Sequence, residues 1–211
     1  MNKINYSLYG RMLNKQALYE GFKHVKRAKG AAGIDGQSLS DFTENLAEEI
    51  DHLYSELKEK RYRPQAVKRV EIPKEGGGIR LLGIPSVRDR VVQQTLRTIL
   101  EPIFTPAFHP SSYGYIKGRS CHQAISKATL FIRQYNRRHV VDMDLSKCID
   151  RLDHEIIIQQ FRRKVTDGSV LNLLRQFLES GVMIGEEYEE TIVGSPQGGL
   201  CKALHKPPYA Q

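Results

Sequence analysis

The sequence has few cysteines and no long apolar run, and both absences narrow the class of protein. Cys121, Cys148 and Cys201 are too few and too widely spaced for a disulfide framework or a zinc site. They are typical of reduced thiols in an intracellular protein. No apolar run approaches the length of a membrane span, and no apolar signal-peptide core follows Met1. The sequence therefore predicts a cytoplasmic protein without a membrane partner.

Acidic residues are scarce between residues 60 and 97. This segment contains ten Lys and Arg residues against three acidic ones, a net charge of +7 in a chain whose formal net charge is +8. The ten basic residues are Lys60, Arg61, Arg63, Lys68, Arg69, Lys74, Arg80, Arg88, Arg90 and Arg97. A localised basic surface is expected of a protein that binds nucleic acid or nucleotides, although a high isoelectric point also occurs in proteins that bind neither.

An acidic segment runs from residue 140 to residue 154. Its first half predicts a strand, because apolar residues alternate with Asp142 and Asp144. The alternating apolar residues are Val141, Met143 and Leu145. Asp144, at the end of this strand, is the acidic residue best placed to bind a metal ion or a phosphate.

The second half of the acidic segment predicts a turn and then a helix. Asp150 lies in the turn, and Asp153 is placed to cap the helix. The apolar residues of this helix are Leu152, Ile156, Ile157, Phe161 and Val165. Turns and caps are structural roles for aspartate, so this segment alone favours a structural interpretation over a catalytic one.

Residues 67–84 predict a β-hairpin. Val70 and Ile72 alternate with charged residues, and a run of three glycines separates them from a second apolar run. Lys74 precedes the glycines and Arg80 follows them, so both cations are predicted at the tip of the hairpin. A solvated hairpin end without a ligand explains the pattern equally well.

Capped, periodic segments predict helices along much of the chain. The predicted N-caps of these helices are Asn14, Ser40, Ser86, Ser120 and Ser169. Pro102 and Pro106 are predicted to end the helix that begins at Ser86. Residues 182–184 and 188–193 predict a second, shorter hairpin. The overall pattern is a mixed α/β chain with a basic lobe followed by an acidic lobe.

Two loops contain residues that suit nucleotide binding. Residues 111–120 interleave two tyrosines with Lys117 and Arg119, a combination that can stack on bases and bind phosphates. Residues 194–199 place three glycines and a proline around Gln197, which predicts a tight turn with exposed backbone. Each loop alone is also consistent with an ordinary surface loop.

Five motifs stand in a fixed order, and the order is more specific than any one motif. They are the turn Gly33-Ile34-Asp35-Gly36, the hairpin with residues 85–93 after it, residues 112–122, the acidic segment, and the loop 194–199. In this order they resemble the reverse transcriptases encoded by group II introns and, more loosely, retron-type reverse transcriptases. The resemblance extends from roughly residue 30 to residue 200.

The resemblance implies an α+β fold of the right-hand polymerase type, with fingers, an incomplete palm, and helices packed on an antiparallel sheet. The implied divisions are a helical leader (1–30), a fingers-like lobe (31–135), a partial palm (136–200) and a divergent tail (201–211). In this family a primer 3′-hydroxyl attacks the α-phosphate of a deoxynucleotide between two Mg²⁺ ions. The implied partners are RNA, as intron or template–primer, and deoxynucleoside triphosphates.

The resemblance also implies roles for individual residues. Asp144 would be the catalytic metal ligand with the backbone carbonyl of Leu145 beside it, since Mg²⁺ prefers hard oxygen donors. Lys74 and Arg80 would hold the incoming triphosphate, and Gln197 would lie against the nucleotide and template. The further cations predicted to contact nucleic acid are Arg63, Arg69, Arg88, Arg90, Lys117 and Arg119.

Three departures from the family pattern stand out. Residues 201–211 contain lysines, a histidine and a Pro-Pro pair where the family continues with an apolar helix and a Tyr-x-Asp-Asp turn, and no acidic residue follows Glu190. Ile149 replaces an aromatic residue that stacks under the nucleotide sugar, so we expect weaker exclusion of a 2′-hydroxyl. Ile116 replaces an arginine, which removes a phosphate or backbone contact.

These departures predict that the chain alone is inactive as a polymerase and has at most a weak Mg²⁺ site. Two alternatives remain open, a noncatalytic RNA-binding module of maturase type and a decayed remnant without function. A complementing polypeptide that supplies the second pair of carboxylates is a further candidate partner.

Overall fold

The computed structural model describes residues 7–73, 75–143 and 151–194, which contain eight α-helices, one 3-10 turn (Thr105–Ala107) and four short strands. The helices are α1 Tyr9–Met12, α2 Lys15–Ala28, α3 Leu39–Glu44, α4 Leu46–Lys58, α5 Val87–Phe104, α6 Cys121–Arg133, α7 His154–Arg162 and α8 Gly168–Leu178. The strands are β1 Val67–Pro73, β2 Ile79–Ile84, β3 Val182–Ile184 and β4 Glu187–Glu189. The predicted α+β class is confirmed. None of the described helices is long and apolar enough to cross a membrane.

One hydrophobic cluster joins early and late parts of the chain. Phe22 of α2, Ile50 of α4 and Leu96 of α5 are buried in it, together with Phe161 of α7 and Leu174 of α8. Burial of side chains of this size is the main favourable contribution to folding. Since α7 and α8 follow α5 by many residues, the core is complete only when distant segments meet.

Four of the predicted N-caps are confirmed. Asn14, Ser86, Ser120 and Asp153 each accept a hydrogen bond from a backbone amide in the first turn of α2, α5, α6 and α7, respectively. Ser120 also forms a capping box with Gln123, whose side chain accepts from the Ser120 amide at 3.0 Å. Capping is local in sequence, which is why the pattern alone could predict it.

Two predicted caps were wrong by two residues each. Ser38, not Ser40, caps α3, and it forms a capping box with Asp41. Asp167, not Ser169, caps α8, and its second carboxylate oxygen accepts the backbone amide of Tyr9 at 2.8 Å. Serine and aspartate are both preferred N-cap residues, so the pattern did not distinguish Ser38 from Ser40 or Asp167 from Ser169.

The prediction that Pro102 ends α5 was also wrong, because the helix continues to Phe104. Proline lacks an amide hydrogen and so removes one intrahelical hydrogen bond, which a long helix can tolerate. The helix ends at the 3-10 turn that contains Pro106, as predicted for that residue.

The strand predicted at the start of the acidic segment is absent from its described part, residues 140–143. Val140, Val141 and Met143 are 83%, 77% and 86% exposed, and no strand pairs with them within the described ranges. Alternation predicts which residues would share a face, but a strand forms only where a neighbour completes its hydrogen bonds.

The helix after the acidic turn has the predicted buried face with one exchange. In α7 and the turn after it, Ile157, Phe161 and Val165 are buried, but Ile156 is 51% exposed and Ile158 is buried instead. Residues 157, 158, 161 and 165 lie on one side of a helix with 3.6 residues per turn, whereas residue 156 lies outside that side.

The strands form one sheet in the order β2–β1–β3–β4. The two predicted hairpins, β1–β2 and β3–β4, are antiparallel, and β4 is shorter than expected. The central strands β1 and β3 pair in parallel, with Val67 opposite Val182 and Lys68 opposite Met183. The sheet is therefore mixed, a correction to the expected antiparallel sheet, because no local pattern indicates the pairing of strands so far apart in sequence.

Candidate nucleic-acid interface

The tip of the β1–β2 hairpin is exposed on both faces. Ile72 is 41% exposed and Ile79 is 56% exposed, although both are apolar. The turn contains Gly77 and Gly78, each at φ +86°, a left-handed conformation that glycine adopts at little cost. Arg80 is exposed and pairs opposite Ile72, so it lies next to the last residue pair of the ladder. Lys74, the other cation predicted at the tip, lies outside the described residues.

Arg80 and Lys117 are available for an anionic ligand. Both side chains are exposed, and no hydrogen bond or ion pair joins either of them to another residue in the described ranges. Exposed cations of this kind contribute the salt-dependent part of nucleic-acid binding. The sequence predicted both as contact residues, and their geometry is compatible with that prediction.

Arg88 instead connects two helices. Its Nη2 donates to Glu56 of α4 in a partly buried ion pair, and its guanidinium lies 5.6 Å from the centre of the Tyr62 ring. The side chain is 25% exposed. Because its charge is already compensated and its ring contact is made, Arg88 stabilises the fold around the start of α5.

Arg90 links α5 by hydrogen bonds to the segment that follows α2. Its Nη2 donates to the Ala31 carbonyl at 2.9 Å and its Nη1 to the Lys29 carbonyl at 3.5 Å. Gly30 lies at φ +128°, a conformation that residues with a Cβ rarely adopt, and a Cβ there would also lie 2.6 Å from the flexible Nη1 end of Arg90. Burial lowers the pKa of Arg90 from its ordinary value, since desolvation disfavours the charged form.

Arg119 holds the loop that precedes α6. Its Nη1 donates to the carbonyls of His109 at 2.8 Å, Pro110 at 3.3 Å and Ser112 at 2.5 Å. Ile116, in the same loop, is only 6% exposed. The isoleucine that replaces the family's arginine therefore packs inside the loop, and Arg119 satisfies carbonyls that would otherwise lack a partner.

Arg63 and Arg69 are each partly engaged. Arg63 is exposed and donates from Nη1 to the carbonyls of Tyr62 at 2.8 Å and Lys60 at 3.1 Å. It lines a cavity of about 250 Å³ between the end of α4 and the first half of α8. Arg69 of β1 lies 3.5 Å from Glu189 of β4, a weak exposed ion pair across the sheet.

Asp89 has a structural role that the sequence did not reveal. It is 1% exposed, and it accepts hydrogen bonds from the Tyr62 hydroxyl at 2.5 Å and the Gln65 amide at 2.9 Å. Burial raises the pKa of the Asp89 carboxyl and also raises that of Tyr62 well above its ordinary value. The spacing Ser86-x-x-Asp89 marks a helix start, but its partners lie far away along the chain.

A second contact missed by sequence reasoning joins the acidic segment to the glycine-rich loop. His154 is buried, and its Nε2 lies 2.7 Å from the Gly194 carbonyl, while the Gly194 amide donates to Leu152 at 2.7 Å. Asp153 and Val193 form an antiparallel bridge between these contacts. The end of one predicted site segment is thus fixed against the beginning of another.

The remaining predicted site residues are Asp144, Leu145, Ile149 and Gln197, and all four lie outside the described residues. Within the ranges that the structure does describe, no group of three or more His, Cys, Asp or Glu side chains is arranged to hold a metal ion. The roles of these four residues therefore remain predictions, whereas Arg80 and the other predicted arginines and Lys117 can be placed in the fold.

The sequence was compared with known proteins. A family model described as reverse transcriptase (RNA-dependent DNA polymerase) matches residues 72–201. The group II intron-encoded protein LtrA of Lactococcus lactis subsp. cremoris is 33% identical over 200 residues, which cover 93% of this chain and 33% of LtrA. Protein YkfC of Escherichia coli (strain K12) is 34% identical over 192 residues, 89% of this chain and 50% of YkfC.

A yeast relative shows the same pattern of coverage. The putative COX1/OXI3 intron 1 protein of Saccharomyces cerevisiae is 29% identical over 203 residues, 95% of this chain and 24% of the yeast protein. The chain thus spans half or less of the length of these relatives. Since the family model matches more than half of the chain and includes the hairpin tip with Arg80, the chain belongs to the reverse transcriptase (RNA-dependent DNA polymerase) family and resembles its group II intron members.

Proposed function

We propose that this chain is the fingers and part of the palm of a group II intron-encoded, RNA-directed DNA polymerase. The family implies RNA as a partner, and reverse transcriptases in general use divalent metal ions. The observation that carries the proposal is the exposed hairpin tip, where Arg80 is not paired with any described residue. A protruding cation within the family match suits the triphosphate or the template backbone.

In this proposal one set of residues holds the nucleotide and another holds the metal ion. Arg80 and Lys74 neutralise the phosphates of a deoxynucleoside triphosphate, Gln197 contacts the nucleotide, and Ile149 lies under its sugar. Asp144 and the Leu145 carbonyl would hold Mg²⁺, which supplies stabilisation of charge on the transferred phosphate when bound.

We further propose that the 211 residues alone bind RNA but do not synthesise DNA. This rests on the content of residues 201–211, where lysines, a histidine and a Pro-Pro pair stand in place of the apolar helix that leads to the Tyr-x-Asp-Asp turn in the family pattern. A complementing polypeptide carrying Tyr-x-Asp-Asp would then restore synthesis. The cytoplasmic location remains a prediction from the sequence.

Primer extension on an RNA template with Mg²⁺ tests the catalytic part of the proposal. We expect no complementary DNA from the chain alone, and synthesis when the complementing polypeptide is added. Robust synthesis by the chain alone would contradict the proposed inactivity.

Binding of RNA at increasing salt concentration tests the second part. We expect R80Q to reduce the salt slope of binding by about one, because one phosphate contact is lost. The matched control is R61Q, which removes an exposed cation that is paired with Glu59 and lies outside the hairpin. An equal effect of both substitutions would mean that the hairpin is not the contact site.

The noncatalytic RNA-binding module of maturase type is the second candidate, favoured by the net charge of +7 in residues 60–97. It predicts the same salt-dependent RNA binding but no synthesis with any complementing polypeptide. A nonfunctional remnant predicts neither activity, and a cooperative unfolding transition together with salt-dependent RNA binding would contradict it.

A further inference from the structure

Residues 102–141 form the longest stretch of the sequence without an acidic residue. The segment contains six Lys and Arg residues and no Asp or Glu. The six basic residues are Lys117, Arg119, Lys127, Arg133, Arg137 and Arg138. The segment lies outside the basic region of residues 60–97, and its net charge of +6 favours a polyanionic partner.

Helix α6, in the middle of this segment, has no buried residue. Lys127 and Phe131 of α6 and Tyr135, two residues after its end, are spaced four residues apart and lie next to one another. The Lys127 Nζ lies 5.9 Å from the centre of the Phe131 ring, and the Phe131 and Tyr135 rings are 5.9 Å apart. Phe131 is 43% exposed and Tyr135 is 59% exposed, so two rings present their surfaces to solvent side by side.

Three arginines lie within seven residues of Phe131 in the sequence. Arg133, Arg137 and Arg138 are exposed, and none of the ion pairs among the described residues involves them. Arg138 is oriented by a hydrogen bond from its Nε to the Asn136 side chain at 3.1 Å. The backbone around them is closed by a hydrogen bond from the Arg137 amide to the Phe131 carbonyl at 3.0 Å.

We propose that this surface, formed by Phe131, Tyr135, Arg133, Arg137 and Arg138, binds single-stranded RNA by stacking. Exposed aromatic rings beside cations are the combination with which proteins bind unpaired bases and their phosphates. The bases of a duplex stack on one another and cannot reach the rings, so a single strand is the occupant that fits. This activity goes beyond the polymerase function, because it requires neither Mg²⁺ nor the hairpin.

An aromatic protein partner or a second copy of the chain would also cover apolar surface, such as the adjacent Ile125 and Ile132. The charge decides against a second copy, since two such surfaces would bring six arginines together without an acidic residue between them. The occupant must be anionic and must offer flat rings, and RNA meets both requirements.

A tryptophan reporter provides the first test, because the chain contains no tryptophan. In the full chain carrying F131W, we expect saturable quenching of tryptophan fluorescence by a twelve-residue oligouridylate. Heparin, a polyanion without bases, should bind without comparable quenching. Equal quenching by heparin, or none by the oligouridylate, would overturn the proposal. A blue shift that grows with protein concentration in the absence of RNA would mean that a second copy covers the surface, and this too would overturn it.

Substitution of the rings provides the second test. We expect F131L/Y135L to weaken binding of the oligouridylate about tenfold without changing its salt slope, because stacking is lost and the charges remain. R137Q/R138Q should reduce the salt slope by about two. The control is Y188L, which removes a ring of 54% exposure among acidic residues of the β3–β4 hairpin.

The tests of the stacking surface can succeed or fail independently of the proposed polymerase function. Circular dichroism establishes that each variant is folded, as we expect for exposed positions. If F131L/Y135L binds as tightly as the original chain, the stacking surface is refuted even when R80Q behaves as expected. If primer extension fails with every complementing polypeptide, the stacking surface still stands on the fluorescence result.

Discussion

Helices α5 and α6 begin with the same kind of cap, but α5 is packed into the core and α6 is exposed. Both are capped by a serine, Ser86 or Ser120, and both carry an apolar stripe. Seven residues of α5 are buried, whereas none of α6 is. The arginines differ accordingly, because Arg88 and Arg90 of α5 hold other parts of the chain, while Arg133, Arg137 and Arg138 at and after the end of α6 are exposed. A capped amphipathic pattern thus predicts a helix but not what covers it.

The largest difference in stability between α5 and α6 variants should appear when one apolar side chain is shortened in each helix. Leu96 of α5 is fully buried, so L96A should lower the free energy of unfolding by about 2–5 kcal/mol. Ile132 of α6 is 54% exposed, so I132A should change it by less than about 0.5 kcal/mol. Urea denaturation followed by circular dichroism measures both. A loss of more than 2 kcal/mol in I132A would mean that α6 is covered in solution.

The start of α5 offers a second contrast. A Cβ at Gly33 would lie 2.6 Å from the Ser86 backbone, so G33A must displace backbone at the helix cap. We expect it to lower the free energy of unfolding by about 1–3 kcal/mol. Gly76, in the hairpin turn, has open space around it, so G76A is the matched control and should be nearly neutral. Equal stabilities of the two variants in thermal denaturation would contradict the close approach.

The arginines can be compared in the same way. R88Q removes the partly buried pair with Glu56 and the contact with Tyr62, and should cost about 1–2 kcal/mol of stability. R137Q should leave stability within about 0.5 kcal/mol and affect only RNA binding. Unfolding and RNA affinity measured on the same preparations separate the two roles. Loss of RNA affinity in R88Q without loss of stability would reverse our assignment.

The smallest expected effect is the dependence of stability on pH through Asp89. Because burial raises the pKa of Asp89 in the folded state above its ordinary value of 3.8, Asp89 favours folding below that value and loses this contribution as pH rises through the raised pKa. D89N cannot titrate. The stability of the original chain relative to D89N should therefore fall as pH increases through this range. A relative stability that rises with pH over the same range would show that the Tyr62 and Gln65 hydrogen bonds outweigh burial.

Sequence reasoning succeeded where the cause is local. The caps at Ser86, Ser120 and Asp153 and both hairpins follow from neighbouring residues, and the motif order predicted the family. It failed where the cause is distant along the chain. The parallel pairing of β1 with β3, the carbonyls bound by Arg90 and the burial of Asp89 all depend on partners that no local pattern specifies.

The hydrogen bond from the Tyr9 amide to Asp167 has a consequence for folding during translation. These residues are 158 positions apart, and the Tyr9 hydroxyl also donates to the Leu57 carbonyl. A ribosome releases the N-terminal end first, so the residues of α1 emerge long before Asp167, the carboxylate that anchors Tyr9. Contacts of such separation slow folding, because a long loop must close before they form. The nascent chain therefore cannot fix α1 in its final position until residue 167 has emerged.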